Sequence, residues 1–257
     1  MPTALVTGAT SGIGAEFARQ LAAKGQDLVI VARDTERLEQ SAKELRATYR
    51  VSVEVLTADL ADREQVGRVA ERLSDPANPV DTLVNNAGFA RRTAFLADDL
   101  AEEERAVDVM LRAVLVLSHM AARAMRDRGR GTIVNVSSVA AFVAMGSYSA
   151  TKSWVVVFSE ALSRELAGTG VTVTAVCPGF VHTEFHERMG MDKTIIPSFM
   201  WLDATDLVDA AWSDLMRGKA ISIPSRRYKL IVAAARYIPR TLIARFSTAG
   251  LDGRRRA

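Results

Sequence analysis

Tyr148 and Lys152 stand four residues apart in "GSYSATK" (146–152), so on a helix they share one face. A tyrosine can hand a proton to a reacting oxygen, but its ordinary pKa of about 10 hinders cycling at neutral pH. A neighbouring cation favours the phenolate and draws that pKa down. The same seven residues also read as the polar first turn of a buried helix, since the apolar run "WVVVF" (154–158) follows at once. The rest of the chain has to choose between these readings.

A second chemical stretch lies near the N-terminus. "TGATSGIG" places Gly8, Gly12 and Gly14 between an apolar strand, "ALVTG" (4–8), and a helical pattern from Ile13 to Lys24. Glycines there allow a tight turn and a close backbone approach, and the helix start offers free N–H groups and a positive dipole end. That combination suits a pyrophosphate, although the spacing G-x3-G-x-G differs from the usual dinucleotide fingerprint.

The elements that must position these groups follow from hydrophobic periodicity. "DLVIVAR" (27–33) is a β-branched run of the kind buried on both faces of a sheet. Further strands are expected within 51–60, 81–88, 131–138, 171–179 and 219–225, with helices over 34–48, 62–74, 101–127, about 148–167 and 205–216. Strands alternating with helices predict a single α/β, Rossmann-like doubly wound domain with a seven-stranded, mostly parallel sheet. Ligands then belong beyond the strand C-termini at the switch point of the sheet. The expected division is a dinucleotide-binding catalytic domain over 1–225 and a basic C-terminal extension over 226–257.

Bulk properties narrow the class. The chain has 257 residues, 49% apolar and 25% charged, which suits one large α/β domain. Its single cysteine, Cys177, rules out an intrachain disulfide and favours a reducing, cytoplasmic setting, and it reads as strand packing. No secretory signal and no uncharged apolar run of membrane-spanning length is read. From Arg217 onward eleven Lys/Arg face one acid, Asp252, whereas the first 216 residues hold 22 basic and 29 acidic residues. Positive charge confined to one segment argues against nucleic-acid binding.

Five separated motifs, Thr7 to Gly14, Asn85-Asn86-Ala87-Gly88, Ser138, Tyr148-x3-Lys152 and Pro178-Gly179, follow the order found in the short-chain dehydrogenase/reductase family, and the chain resembles that family over residues 3–185. The resemblance implies an oxidoreductase moving a hydride between NAD(P)(H) and a carbonyl or alcohol. Tyr148 would be the acid/base, Lys152 would tune it and hold the nicotinamide ribose, and Ser138 would hold the substrate oxygen. The cofactor would lie along Gly8, Thr10, Ser11, Gly12, Ile13 and Gly14. Asp59 and Leu60 would flank the adenine, Asn86, Ala87 and Gly88 would line the adenosine ribose side, Thr183 would contact the nicotinamide amide, and Pro178, Gly179 and Val181 would also bind the cofactor.

The second strand ends Ala32-Arg33-Asp34, and an arginine there can pair with a 2′-phosphate, so NADP(H) is expected over NAD(H). In the other reading Arg33 is solvated and Asp34 takes the ribose. Two departures from the family pattern stand out. Met110 occupies the position where the family usually has an asparagine, and the loop "VAAFVAMG" (139–146) between Ser138 and Tyr148 is short, leaving Ser137 as another reactive-serine reading. A non-catalytic NADP(H)-binding regulator or scaffold is the alternative function.

The segment 180–202 is rich in Phe185, Met189, Met191, Ile195, Ile196, Phe199, Met200 and Trp201. Such apolarity suggests a lid over a hydrophobic ketone or secondary alcohol, lipid-like, acyl or steroid-like, or else a loop that packs on the domain. His182, Glu184, His186 and Glu187 lack a recognisable ligand pattern, so no metal is expected. Trp154 to Phe158 and Leu162 read as core with some face left for a partner, and the family resemblance implies a homodimer or homotetramer through this helix and that at 101–127. The tail "RRYKLIVAAARYIPRTLIARF" (226–246) mixes apolar and basic residues at helical intervals; it could touch an anionic membrane surface, cover the pocket or pack between subunits.

Overall fold

Parallel strands buried on both faces need apolar side chains in both directions, and the computed structural model, which describes residues 1–90, 95–97, 99–144, 146–185 and 196–237, meets that need. β1 (Thr3–Thr7), β2 (Asp27–Ala32), β3 (Val53–Thr57), β4 (Thr82–Asn85), β5 (Gly131–Val136), β6 (Val171–Val176) and β9 (Ile221–Ser222) form one sheet in the order β3-β2-β1-β4-β5-β6-β9. Every pairing in it is parallel, including that of the edge strand β9. β7 (Phe180–Val181) and β8 (Trp201–Leu202) form a separate parallel pair that sequence periodicity did not reveal.

Eight helices among the described residues cover the sheet: α1 (Gly12–Ala23), α2 (Thr35–Tyr49), α3 (Arg63–Ser74), α4 (Leu100–Val107), α5 (Ala113–Arg128), α6 (Gly146–Glu165), α7 (Ala204–Met216) and α8 (Arg226–Tyr237). Alternate residues of each strand face opposite layers. Val6, Ile30 and Val134 join Phe17, Leu21, Leu38 and Leu207 on one side. Leu5, Val29 and Ile133 join Val66, Val69, Leu117 and Met125 on the other. Helices α2, α3, α4 and α7 each begin after an aspartate, Asp34, Asp62, Asp99 or Asp203, whose carboxylate accepts from a first-turn N–H.

The centre of the sheet carries polar groups that set helix positions. Asn85 Nδ2 donates to Asn135 Oδ1 (2.9 Å) and Ser118 Oγ (3.0 Å), and Asn135 Nδ2 donates to Ser159 Oγ (3.0 Å). All four side chains are buried, so each bond replaces water that the interior excludes. The network ties β4 and β5 to α5 and α6, the helices flanking the end of β5. Strands read as 51–60 and 81–88 end earlier, at Thr57 and Asn85, because the residues beyond them leave the sheet to line its C-terminal edge.

Candidate active site

The sheet grows in opposite directions from β1 and β4, so a crevice opens beyond their C-terminal ends. Thr7 and Asn86 brace it. Thr7 Oγ1 donates to the Val84 carbonyl (3.3 Å) and accepts from the N–H groups of Asn86 (2.9 Å) and Ala87 (3.0 Å). Asn86 Nδ2 donates back to the carbonyls of Thr7 (2.9 Å) and Gly8 (3.2 Å). Gly8 and Gly12 have φ of 67° and 55°, a region costly for residues with a β-carbon, and a β-carbon on Gly14 would collide with the Gly8 carbonyl and the Asn86 amide. Ser11 precedes α1 without capping it through its side chain, unlike the aspartates before α2, α3, α4 and α7. The first-turn N–H groups around Gly12, Ile13 and Gly14 therefore face the crevice beside Thr10, a cradle that fits a pyrophosphate.

On the β2 side, Asp34 accepts from the Arg37 N–H (3.0 Å) and so serves α2 as its cap. Arg33 lies at the strand end, close enough to Asp59 to help hold its carboxyl down. Burial alone would raise Asp59, but the Ala61 N–H (3.0 Å) and Arg105 (2.6 Å) overcome it and keep the carboxyl below its ordinary value. Leu60 is buried next to it. Arg37, which the sequence reading left without a role, reaches across from α2. It donates to the Thr10 carbonyl (3.1 Å) and pairs with Glu184 (3.0 Å), so it spans from the glycine turn to the stretch after β7.

Beyond β5 the two serines separate by role. Ser137 is buried and donates to the Lys152 carbonyl (2.7 Å), which ties α6 to the strand. Ser138 lies beside Tyr148, and its Oγ accepts from the Ala140 N–H (3.1 Å). Lys152 is 5% exposed; its Nζ donates to the Val136 carbonyl (2.9 Å) and lies 5.8 Å from the Tyr148 ring centre. Gly88 borders both the Met110 thioether and Lys152 Nζ. Met110 is buried in a single π turn (Asp108–Arg112) between α4 and α5, a distortion common at functional sites. The wall at that position is thus apolar where an amide would be polar.

The Pro178 carbonyl accepts from the Val139 N–H (2.9 Å), Val181 is buried, and the Thr183 methyl lies against Gly12, so Pro178–Thr183 closes the other side of the crevice. Phe185 meets Tyr148 with ring centres 6.4 Å apart. His182 stacks on Trp201 and Glu184 is paired with Arg37, and among the described residues no group of three metal-binding side chains occurs. His186, Glu187, Met189, Met191, Ile195 and residues 238–257 lie outside the described residues. Cys177 is fully buried behind the site, and burial pushes its thiol up to about 12. Among the described residues no helix is long and apolar enough to cross a membrane.

Electrostatically the site differs from the simple picture of a lysine lowering a tyrosine. Burial pushes Tyr148 up to about 12, the nearby Ser138 hydroxyl opposing it, and pushes Lys152 down to about 8. Desolvation disfavours the charged form of each, and for Lys152 it outweighs the opposing pull of Cys177. Tyr148 is therefore a protonated hydroxyl, a donor. Lys152 has a folded pKa below its ordinary 10.5, so from about pH 8 to 10.5 the unfolded chain binds more protons and stability rises with pH. Tyr148 and Cys177 act oppositely, losing stability above their ordinary 10.0 and 9.0 up to about 12. In urea unfolding of wild type and Lys152→Met, the stability difference should shift in favour of the wild type by on the order of 3 kcal/mol between pH 8 and 10.5. A pH-independent difference would contradict the assigned burial of the charge.

Comparisons with known proteins agree with this geometry. Residues 2–194 match the family model described as short chain dehydrogenase. A Streptomyces violaceoruber protein named as a candidate ketoacyl reductase of the granaticin polyketide synthase is 42% identical over 193 residues, 73% of this chain and 71% of its own. A short-chain dehydrogenase from Sphingobium yanoikuyae, solved in complex with NADPH, superimposes with a TM-score of 0.84 at 36% identity, covering 92% of this chain and 94% of the other. A bulky-bulky ketone specific alcohol dehydrogenase from Comamonas testosteroni gives a TM-score of 0.79 at 33% identity over 92% of each chain. With its glycine cradle at the switch point and its tyrosine and lysine beside the end of β5, the chain belongs to the short-chain dehydrogenase/reductase family of oxidoreductases.

Proposed function

We propose that the protein interconverts a hydrophobic ketone and its secondary alcohol with NADP(H). The observation that carries this reading is the cluster of Ser138, Tyr148 and Lys152 at the end of β5, with the Phe185 ring laid against Tyr148. In the reductive direction the Tyr148 hydroxyl, aligned by Ser138, donates its proton to the carbonyl oxygen, and the Ser138 hydroxyl steadies that oxygen as charge develops on it. Lys152, still mostly protonated at neutral pH, favours the tyrosinate left behind. Bound NADPH supplies the hydride. Oxidation of an alcohol uses the same groups in reverse.

Gly8 to Gly14 would hold the pyrophosphate, and Arg33 would meet the 2′-phosphate. Asp34 is engaged in capping α2, which disfavours its use as a ribose acceptor and so favours NADP(H). Asp59 and Leu60 would border the adenine, Ala87 and Gly88 the adenosine ribose, and Thr183 the nicotinamide amide, with Pro178, Gly179 and Val181 also against the cofactor. Phe185 and the buried Met110 thioether give the reacting end an apolar lining suited to lipid-like or acyl ketones. The solved relatives support both choices, since one is described with NADPH and another as specific for ketones with two bulky substituents.

The test is NADPH oxidation over a panel of bulky and small ketones. Bulky ketones should be preferred, Tyr148→Phe should lower kcat by about a thousandfold or more with NADPH binding intact, and Arg33→Ala should cost at least about tenfold in NADPH over NADH preference. Turnover confined to small polar carbonyls, or an unaltered preference in Arg33→Ala, would reject the respective assignment.

We further infer a homo-oligomer. Leu115 on α5 is 42% exposed and Val157 on α6 is 62% exposed, beside a stacked Trp154–Phe158 pair (ring centres 4.7 Å apart). These form an apolar face of the kind that packs against a second copy. In light scattering after size exclusion, Val157→Glu should shift the wild-type oligomer toward monomer; an unchanged mass would exclude this face.

A further inference from the structure

The C-terminal helix α8 lies beyond residues 2–194, the part matched by the family model, yet it reaches the site. Tyr228 is 3% exposed, and its ring occupies the space that a side chain on residue 179 would need; only a glycine leaves it free. Its hydroxyl accepts from the Phe180 N–H (3.0 Å) and donates to the Met200 carbonyl (2.8 Å). Those two residues, the first of β7 and the one before β8, are the roots of the connection between these strands. The roots are further joined by the register Phe180↔Trp201 and Val181↔Leu202, and by His182 N–H to the Leu202 carbonyl (3.1 Å).

Around Tyr228, α8 has its own anchors. Arg227 donates to the Phe199 carbonyl, and Lys229 lies 3.7 Å from Asp214. Asp214 is buried and also holds Lys219 (2.6 Å) and Ser222 (2.9 Å), which ties α7, β9 and α8 together. The first root continues directly into the catalytic crevice. Five residues after Phe180 stands Phe185, the ring that meets Tyr148, and between them Thr183 lies against Gly12.

We propose that Tyr228 is a positioning residue for the substrate: its hydroxyl holds the two roots at fixed separation and so sets Phe185 over the reacting end of the site. The effect on substrate rests on the ketone reductase reading above, whereas the clamp itself does not. Removing the hydroxyl alone takes one hydrogen bond from the half-buried Phe180 N–H and one from the half-buried Met200 carbonyl, while the ring still fills the space beside Gly179. Substrates large enough to touch Phe185 should feel the change, and small ones should not.

The experiment compares wild type with Tyr228→Phe in the full chain. Amide hydrogen exchange is followed in peptides covering 178–183 and 199–203, and steady-state kinetics are measured with NADPH and one bulky and one small ketone. Expected are exchange at least about tenfold faster at Phe180, an unaltered rate in β1 and β2, and a KM for the bulky ketone raised about tenfold with kcat within about twofold. The small ketone should show a KM within about twofold of wild type. Unchanged exchange overturns the clamp. Faster exchange with equal losses for both ketones overturns the positioning role. Faster exchange in a protein whose wild type reduces no ketone keeps the clamp, overturns its effect on substrate, and places the failure in the functional reading.

Discussion

Two crossed hydrogen bonds between the end of β5 and the second turn of α6 are the constraint on which the site depends. Ser137 Oγ donates to the main-chain carbonyl of Lys152, and Lys152 Nζ donates to the carbonyl of Val136. Both are buried, so breaking either leaves a polar group without water, at a cost of about 1–3 kcal/mol. The pair fixes the rotation and height of α6 relative to the strand, and that placement brings Tyr148 to Ser138. The buried amides of Asn85 and Asn135 support the same seam from within the sheet by reaching Ser118 and Ser159 on the two flanking helices. A glycine turn at β1 and a tyrosine on α6 become parts of one crevice only because parallel strands bring their C-terminal ends to one edge.

Burial has a cost that the chemistry uses. A lysine withdrawn from water and bonded to a backbone carbonyl is held near its point of deprotonation, and a tyrosine beside it is held firmly protonated. Each shift opposes charge in the resting protein. In the proposed reaction, proton loss from Tyr148 to a carbonyl oxygen would create an anion next to an available cation, where burial limits competition from water. Met110 and Phe185 keep the surroundings apolar, which strengthens that interaction while denying a polar side chain to the wall beside Gly88.

Much of this was legible in the order of residues, and the limits have physical reasons. The β-branched run of β2 announces a strand buried on both faces, and the apolar run of β1 a strand leading into a glycine turn, because both signals are local. The Tyr148/Lys152 pair is likewise local, being one helical turn. The choice of Ser138 over Ser137 rests on family resemblance alone, since neighbours on a strand end differ in which way each points, and that is set by α6. Nor could the direction of the Tyr148 shift be read, because spacing reports the nearby cation and not the burial of the ring. Arg37 to Glu184 and Tyr228 to Phe180 join residues 147 and 48 positions apart, with no periodic pattern linking them. The only trace of the second in the sequence is Gly179, whose missing side chain makes room for a ring from the far end of the chain.

The central claim is that this crevice moves a hydride onto a carbonyl carbon while Tyr148 protonates the oxygen. It is tested most directly by reducing a bulky ketone with NADPH deuterated at both C4 positions and weighing the alcohol formed. The account predicts an alcohol carrying one deuterium on the carbinol carbon and an exchangeable proton on its oxygen. An alcohol formed without that deuterium would contradict it, as would NADPH bound at the glycine turn with no alcohol formed from any ketone.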